Sequence, residues 1–273
     1  MTIVELEEMA KRMIEGINAG EMRMEDAQAV LNGVKETDAR DSIKLLNDFP
    51  DLFLKMIPMG ASLDLKRFIP LIKEAFPMLL KKIEEYGTEK FVNELSKPEV
   101  VIFPGMLVAA GRFLEKMGVE KVNAHGEEIK DILSVVLLLF NRMVMPIADR
   151  SDELKKAFDR IEFAISVNFH ARELGFVFNL KCDRKSGKGV MENFKMEEDP
   201  EADLNWMIST KGLLFFFNFL KSAGDLQDFF EMTKSGEIEI VEEDLPGAGL
   251  IPWLIDVSDL SKKIDDTYPK SGR

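Results

Sequence analysis

The residues that carry most enzyme chemistry are scarce in this chain. A single cysteine, Cys182, and two histidines, His125 and His170, occur among its 273 residues. One cysteine excludes an intramolecular disulfide framework and fits a reducing compartment. The chain opens on an acidic stretch, where a secretory signal needs a basic segment and an apolar run. We therefore expect a cytoplasmic protein.

Recognisable catalytic motifs are also missing. His125 and Glu128 are spaced to share a helical face, but two potential ligands do not make a metal site, and a loop at a helix start is the simpler interpretation. The sequence has no Gly-x-Ser-x-Gly elbow, no Gly-x-Gly-x-x-Gly loop and no Walker loop. His170 and Cys182 are expected to be structural. We predict no metal, no cofactor and no enzymatic activity.

Basic residues are also fewer than acidic ones, and long hydrophobic segments are rare. The chain has 36 Lys and Arg against 49 Asp and Glu, a net charge of −13. This balance disfavours nucleic acid and steady binding to an anionic membrane. The longest apolar segment, 132–147, contains Asn141 and Arg142 and is shorter than the roughly 20 residues of a membrane span. A buried helix is the better interpretation, without membrane insertion.

The first half of the chain does have clear helical periodicity. Apolar residues recur at i, i+3 and i+4 in two successive stripes, namely Leu6, Met9, Ala10, Met13, Ile14 and Ile17, then Met24, Ala27, Val30, Leu31 and Val34. Prolines, which cannot donate the interior helical hydrogen bond, are expected to divide the rest into short helices at Pro50, Pro58, Pro70, Pro77, Pro98 and Pro104. Gly87 and Gly118 stand where C-terminal caps are expected. We predict an all-helical domain over residues 1–150.

The period changes after residue 150. Large apolar residues alternate with other residues in segments 163–169, 176–181, 190–194, 204–209 and 237–240, which predicts five half-buried strands. Gly175 and Gly187 lie in turns between them and favour antiparallel hairpins. Between the last two strands lies segment 211–220, with its run of phenylalanines. A helix that is apolar around most of its circumference must be covered on several sides.

The order of these parts resembles the sterol carrier protein-2 family of lipid-binding domains. The match covers residues 155–265 and rests on loose signatures, which are a hairpin at 187–190, Ala202-Asp203 after a polar loop, Ser209-Thr210 at a helix start, Phe229-Phe230, and a strand opened by Gly236. The resemblance implies an α+β protein, in which residues 151–273 form a lipid-binding domain whose five-stranded, mainly antiparallel sheet is covered by helices. It also implies an apolar tunnel that holds fatty acids, fatty acyl-CoA, sterols or similar lipids without catalysis.

The lining residues that the resemblance implies are large and apolar. The candidates are Trp206, Ile208, Leu214, Phe215, Phe217, Phe229, Phe230, Trp253 and Leu254. Periodicity alone favours a purely structural core for the same residues. A basic cluster at the hairpin, Lys181, Arg184, Lys185 and Lys188, is either a receptor for an anionic head group or a solvated hairpin tip.

Two alternatives to a lipid carrier stay open. The same fold, filled by its own side chains, would serve as a protein-interaction or regulatory module, and methionine-rich helices suit adaptable association, including a homodimer through the helical half. An accessory protein that presents a lipid-linked substrate to a separate enzyme is the third option. A dry cavity of acyl length would separate the lipid carrier from the interaction module.

Overall fold

The computed structural model describes residues 3–19, 23–38, 64–93, 99–139, 141–142, 164–185, 188–215 and 226–241. These residues form helices followed by a five-stranded mixed sheet, so the α+β class is confirmed. The predicted strands at 176–181 and 190–194 lie within observed strands, whereas those at 204–209 and 237–240 each extend one residue beyond the observed strand, at Ser209 and Glu237. The first observed strand begins at Ile165, whereas the prediction begins at Phe163, which lies outside the described residues.

Helices make up the described chain before residue 143. They are α1 (Ile3–Asn18), α2 (Met24–Glu36), α3 (Leu65–Tyr86), α4 (Thr88–Asn93), α5 (Glu99–Ala124) and α6 (Gly126–Leu139). The two predicted apolar stripes lie on α1 and α2, where Leu6, Met13, Ala27 and Val30 are buried. None of the described helices is both long and apolar enough to cross a membrane.

Proline does not divide this half as the sequence predicts. Pro70 and Pro77 lie inside α3, which runs for 22 residues, and Pro104 lies inside α5. Each proline of α3 deprives the carbonyl four residues earlier of its partner, at Lys66 and Lys73, and all four positions are exposed, so water can satisfy that carbonyl. The buried stripe of α3 continues past both prolines, because core packing outweighs the lost hydrogen bonds. Pro50, Pro58 and Pro98 lie outside the described residues.

Both glycines that were expected to end helices do interrupt them. Gly87 is the C-cap of α3, with φ 99°. Gly118 has φ 77° and ψ 163°, which breaks the regular conformation within α5 and joins two helical pieces across a kink. A residue with a side chain rarely adopts this φ, whereas glycine does so without steric cost.

The sheet contains β1 (Ile165–Ala171), β2 (Phe176–Lys185), β3 (Lys188–Lys195), β4 (Leu204–Ile208) and β5 (Ile238–Val241), in the order β3-β2-β1-β4-β5. β1 pairs with β2, β2 with β3, and β4 with β5 in antiparallel fashion, while β1 and β4 are parallel. The mainly antiparallel sheet and its two hairpins are therefore confirmed. A helix that begins at Thr210, α7, is described over residues 210–215, and α8 covers Leu226–Lys234.

The central strand β1 is buried on both faces, whereas its alternation predicts a half-buried strand. Ser166 and Asn168, the polar members of the alternation, are 5% and 1% exposed. They are covered by the loop after β3, whose Asp199 and Asp203 hydrogen-bond to them. Burial of these polar groups is tolerated because each finds partners in that loop.

Hydrogen bonds join the helical half to the sheet and to the start of α7 at two separate points. The Thr210 hydroxyl donates a hydrogen bond to the side-chain oxygen of Asn123 on α5. The Asn141 side-chain amide exchanges two hydrogen bonds with the backbone of Phe194 on the edge strand β3. Buried apolar residues of both halves belong to one contiguous core. A division into domains at residue 150 stays a prediction, since residues 143–163 lie outside the described chain.

Candidate functional site

The apolar face of the sheet gathers the aromatic residues that the sequence singled out. Trp206 on β4 lies opposite Phe169 of β1 on one side and Ile240 of β5 on the other. Because side chains alternate along a strand, these three project from the same face. α8 covers this face, with Phe229 directed towards Trp206 at a centroid separation of 6.0 Å.

Five rings form a continuous series across this face, and the half-buried ring of Phe194 on β3 extends it, 5.7 Å from the ring of Phe178. Phe178 stacks on Phe169 at 4.8 Å, and Phe169 meets the edge of Trp206 at 5.4 Å. Phe229 is the fourth ring, and it lies 6.3 Å from the ring of Phe230. The first four residues are at most 7% exposed, whereas Phe230 is 49% exposed. The series therefore runs from the edge strand β3 across the sheet to the protein surface at Phe230.

The start of α7 is fixed close to this face by polar contacts. Ser209 Oγ accepts a hydrogen bond from the Gly212 backbone N–H at 2.9 Å, the N-cap arrangement that the sequence predicts. Glu173 Oε2 accepts from the Thr210 N–H at 2.6 Å. A Cβ added at Gly212 would lie 2.4 Å from the Glu237 carbonyl oxygen, so only glycine permits this close approach. These contacts set where the phenylalanine-rich segment leaves the sheet.

The structure brings together several of the predicted lining residues. Trp206, Ile208 and Phe229 are buried in the core, and Leu214 and Phe215 pack against it half-buried. Phe230 lies at the exposed end of the ring series. Phe217, Trp253 and Leu254 lie outside the described residues, so their predicted roles stay predictions.

Lys181, the member of the basic cluster whose side chain the structure describes, does not lie beside these aromatic residues. Lys181 is paired with Ser166 and Asn193 and therefore lies on the face opposite Trp206. Arg184, Lys185 and Lys188 belong to the β2–β3 hairpin by backbone, but the positions of their side chains fall outside the description. Their role at a head group stays a prediction.

The opposite face carries a buried polar network that the sequence alone did not predict. Asn168 lies directly across from Asn179 on β2 and from Asn205 on β4. Asn179 Nδ2 donates to Ser166 Oγ at 2.9 Å, to Asn168 Oδ1 at 3.0 Å and to the Val167 carbonyl at 3.2 Å. The signal in the sequence was an asparagine on each of three strands. Strand register, which brings them side by side, was needed to interpret it.

The network continues into the loop that covers it. Ser166 Oγ donates to Asp199 Oδ2 at 2.7 Å, and the backbone N–H of Glu201 donates to Asp199 Oδ1 at 3.0 Å. These hydrogen bonds hold the pKa of Asp199 below its ordinary value of 3.8. Asp203 Oδ2 accepts from the Ser166 N–H at 2.7 Å. The arrangement orients a loop by directional bonds, a structural role.

The residues considered for catalysis or metal binding stay apart. His125 lies in the turn between α5 and α6, as predicted, with its Nδ1 3.6 Å from Glu128 Oε2. His170 Nε2 lies 3.1 Å from Asn205 Oδ1. Cys182 is buried on β2, and burial raises the pKa of its thiol to about 12, which suppresses the reactive thiolate. Within the described ranges, no cluster of three or more potential ligands could hold a metal ion.

Comparison with known proteins finds similarity among solved structures. No family model and no curated protein matches this sequence. A solved structure described as a UbiJ-SCP2 ubiquinone synthesis protein is similar at 16% identity, over 47% of this chain and 91% of that chain, with a TM-score of 0.29. A similarity at this TM-score carries no argument about the function of the present chain.

Proposed function

We propose that this chain binds one hydrophobic ligand and catalyses no reaction on it. The ligand class is a fatty acid, fatty acyl-CoA, sterol or similar lipid. The site is the apolar face of the sheet beside α8, where Trp206 and Phe229 meet, and its entrance lies at Phe230 and Ile240. The resemblance of residues 155–265 to the sterol carrier protein-2 family supports the same class of ligand.

The observation that carries this proposal is the ring series that reaches the surface. Most large apolar side chains of the described chain are buried, yet Phe230 is 49% and Ile240 38% exposed. Both adjoin the buried pair Trp206 and Phe229. An exposed apolar surface continuous with an apolar interior is typical of binding sites. Burial of a ligand there yields about 0.8 kcal/mol for each methylene group, so tight binding needs few polar contacts.

An interaction module with a self-filled core is the second candidate. The ring separations favour it, because centroids 4.8 to 6.3 Å apart are those of aromatic pairs in direct contact. In that case, Phe230 and Ile240 would meet a partner protein, and no small molecule would occupy the interior. An accessory role, in which the protein presents a lipid-linked substrate to an enzyme, would use both a lipid-binding interior and a partner surface at Phe230 and Ile240.

Native mass spectrometry of the purified protein, followed by organic extraction, tests the proposal. We expect a co-purified lipid at a stoichiometry near one, or uptake of one ligand from an added mixture of fatty acids and acyl-CoAs. If nothing binds from this mixture, the lipid-binding proposal is wrong and the self-filled module is favoured.

A pair of surface variants locates the site. Phe230→Glu places a charge at the proposed entrance and should reduce ligand occupancy. Met78→Glu is the matched control, since Met78 is 41% exposed on α3 in the helical half, and occupancy should be unchanged. Equal losses in the two variants would contradict an entrance at Phe230.

A further inference from the structure

One polar atom in the apolar layer has no partner. Trp206 is 1% exposed, and its indole Nε1–H donates a hydrogen bond to no described residue. A buried N–H group left unpaired destabilises the fold, and most such groups in folded proteins find an acceptor. A phenylalanine would avoid this cost, so the indole at this position calls for an explanation.

The other unpartnered atoms of the described chain differ from this one. They are His125 Nδ1, Asn179 Oδ1 and Asn193 Oδ1. His125 Nδ1 lies 3.6 Å from Glu128 Oε2. The side-chain nitrogen of Asn179 donates hydrogen bonds to three acceptors. Both asparagines lie on the polar face of the sheet. Trp206 has a single polar atom in its side chain, and its ring adjoins those of Phe169 and Phe229.

The neighbours of Trp206 restrict what can approach the indole. The rings of Phe169 and Phe229 adjoin it, and Ile240 is paired with it across the sheet. A group that accepts from Nε1 here must enter an apolar layer. A carboxylate would be buried in these surroundings without a cation, at a high cost in free energy. An uncharged oxygen has a smaller desolvation cost and regains part of it through the hydrogen bond.

We propose that Trp206 Nε1 donates a hydrogen bond to an uncharged oxygen, such as an ester or ketone carbonyl, within the apolar part of the bound ligand. This inference rests on the proposed function and narrows its ligand class. Trp206 is then a specificity-determining residue that separates oxygen-bearing lipids from pure hydrocarbon of the same length.

Two probes of matched chain length test this inference, methyl laurate and tetradecane. Each is titrated into the full-length wild-type protein and into Trp206→Phe, with binding followed by competition against a bound fluorescent fatty acid. We expect Trp206→Phe to weaken methyl laurate by roughly fivefold to tenfold, as for one neutral hydrogen bond. Tetradecane should lose much less affinity. The affinity of each ligand is compared between wild type and Trp206→Phe, so the different hydration free energies of ester and hydrocarbon cancel.

A measurement on the unmodified protein covers the case in which the variant fails to fold. The indole N–H resonance of Trp206, assigned as the one that persists in Trp253→Phe, should move downfield with methyl laurate and much less with tetradecane. Equal shifts or equal affinity changes for the two ligands would overturn the role of Trp206 and leave the proposed function intact. If the fluorescent fatty acid binds the wild-type protein but neither probe displaces it, this inference fails while the proposed function stands. If the fluorescent fatty acid itself does not bind, the proposed function fails, and this inference fails with it.

Discussion

The two faces of the sheet are buried by different physical means. On one face, Phe169 and Trp206 are covered by apolar side chains, through contacts that depend on shape and area. On the other, Ser166 and Asn168 are covered by a polar loop through hydrogen bonds to Asp199, and Asn179 hydrogen-bonds to both of them. The hydrophobic effect is non-directional, whereas a hydrogen bond weakens steeply when its geometry changes.

This difference predicts different tolerance to change and different uses. An apolar face can exchange contacts with its own side chains for contacts with a ligand at little cost. A hydrogen-bonded face cannot rearrange without leaving buried polar groups unpaired. Ligand binding is therefore expected on the side of Trp206, while the side of Asn179 provides rigidity. Single substitutions on each face can test this contrast.

Removal of a ring from the apolar face should have the largest effect. Phe229 is 3% exposed and contacts Trp206, so Phe229→Ala should lower the free energy of unfolding by about 3–5 kcal/mol. Phe230→Ala, at the next position of the same helix, should cost about 1 kcal/mol or less, because that ring is half in solvent. Urea denaturation of the two variants gives both values.

The same pair distinguishes a binding surface from a structural one. If Phe230 serves the ligand, Phe230→Ala should reduce ligand retention while it leaves the urea midpoint of the ligand-free protein nearly unchanged. Similar losses of stability in the two variants would show that Phe230 is part of the core, contrary to its exposure.

Near-isosteric replacements on each face provide the second comparison. Asn179→Leu removes the donor for Ser166, Val167 and Asn168 and should destabilise the fold by about 2–3 kcal/mol, since those acceptors lose a buried partner. Leu180→Met, at the adjacent position on the apolar face, should cost about 1 kcal/mol or less because volume is conserved. Equal costs in urea denaturation would contradict the contrast between the faces.

The sequence predicted the apolar face better than the polar one. Alternation of large apolar residues located the strands, and Ser209 marked the start of α7, because both signals are local. The network around Asn168 depends on which strands are neighbours, and the parallel pairing of β1 with β4 brings Asn205 to it from 37 residues away. The prediction at Pro70 and Pro77 was wrong, since the effect of a proline depends on whether the affected carbonyl faces water.

The smallest effect is expected for the pH dependence of the polar face. The hydrogen bonds from Ser166 and from the Glu201 backbone lower the pKa of Asp199 in the folded protein. Asp199→Asn retains only one of the two acceptor oxygens, so the variant should be less stable than wild type at neutral pH. Urea denaturation at several pH values from neutral to about pH 3 measures the difference in free energy of unfolding between the two proteins. This interval includes the ordinary pKa range of a carboxyl group.

The direction of the change follows from linkage. A carboxyl group whose pKa is lower in the folded state binds its proton more readily when the chain is unfolded. Its contribution is therefore fully present above the unfolded value, near 3.8, and is lost as the pH falls through the folded value. The gap between wild type and Asp199→Asn should narrow in that acidic range. In a Ser166→Ala background, which lacks the main donor to Asp199, the pH dependence of this stability difference should be smaller. A stability difference that is independent of pH in both backgrounds would show that the ionised form of Asp199 does not stabilise this face.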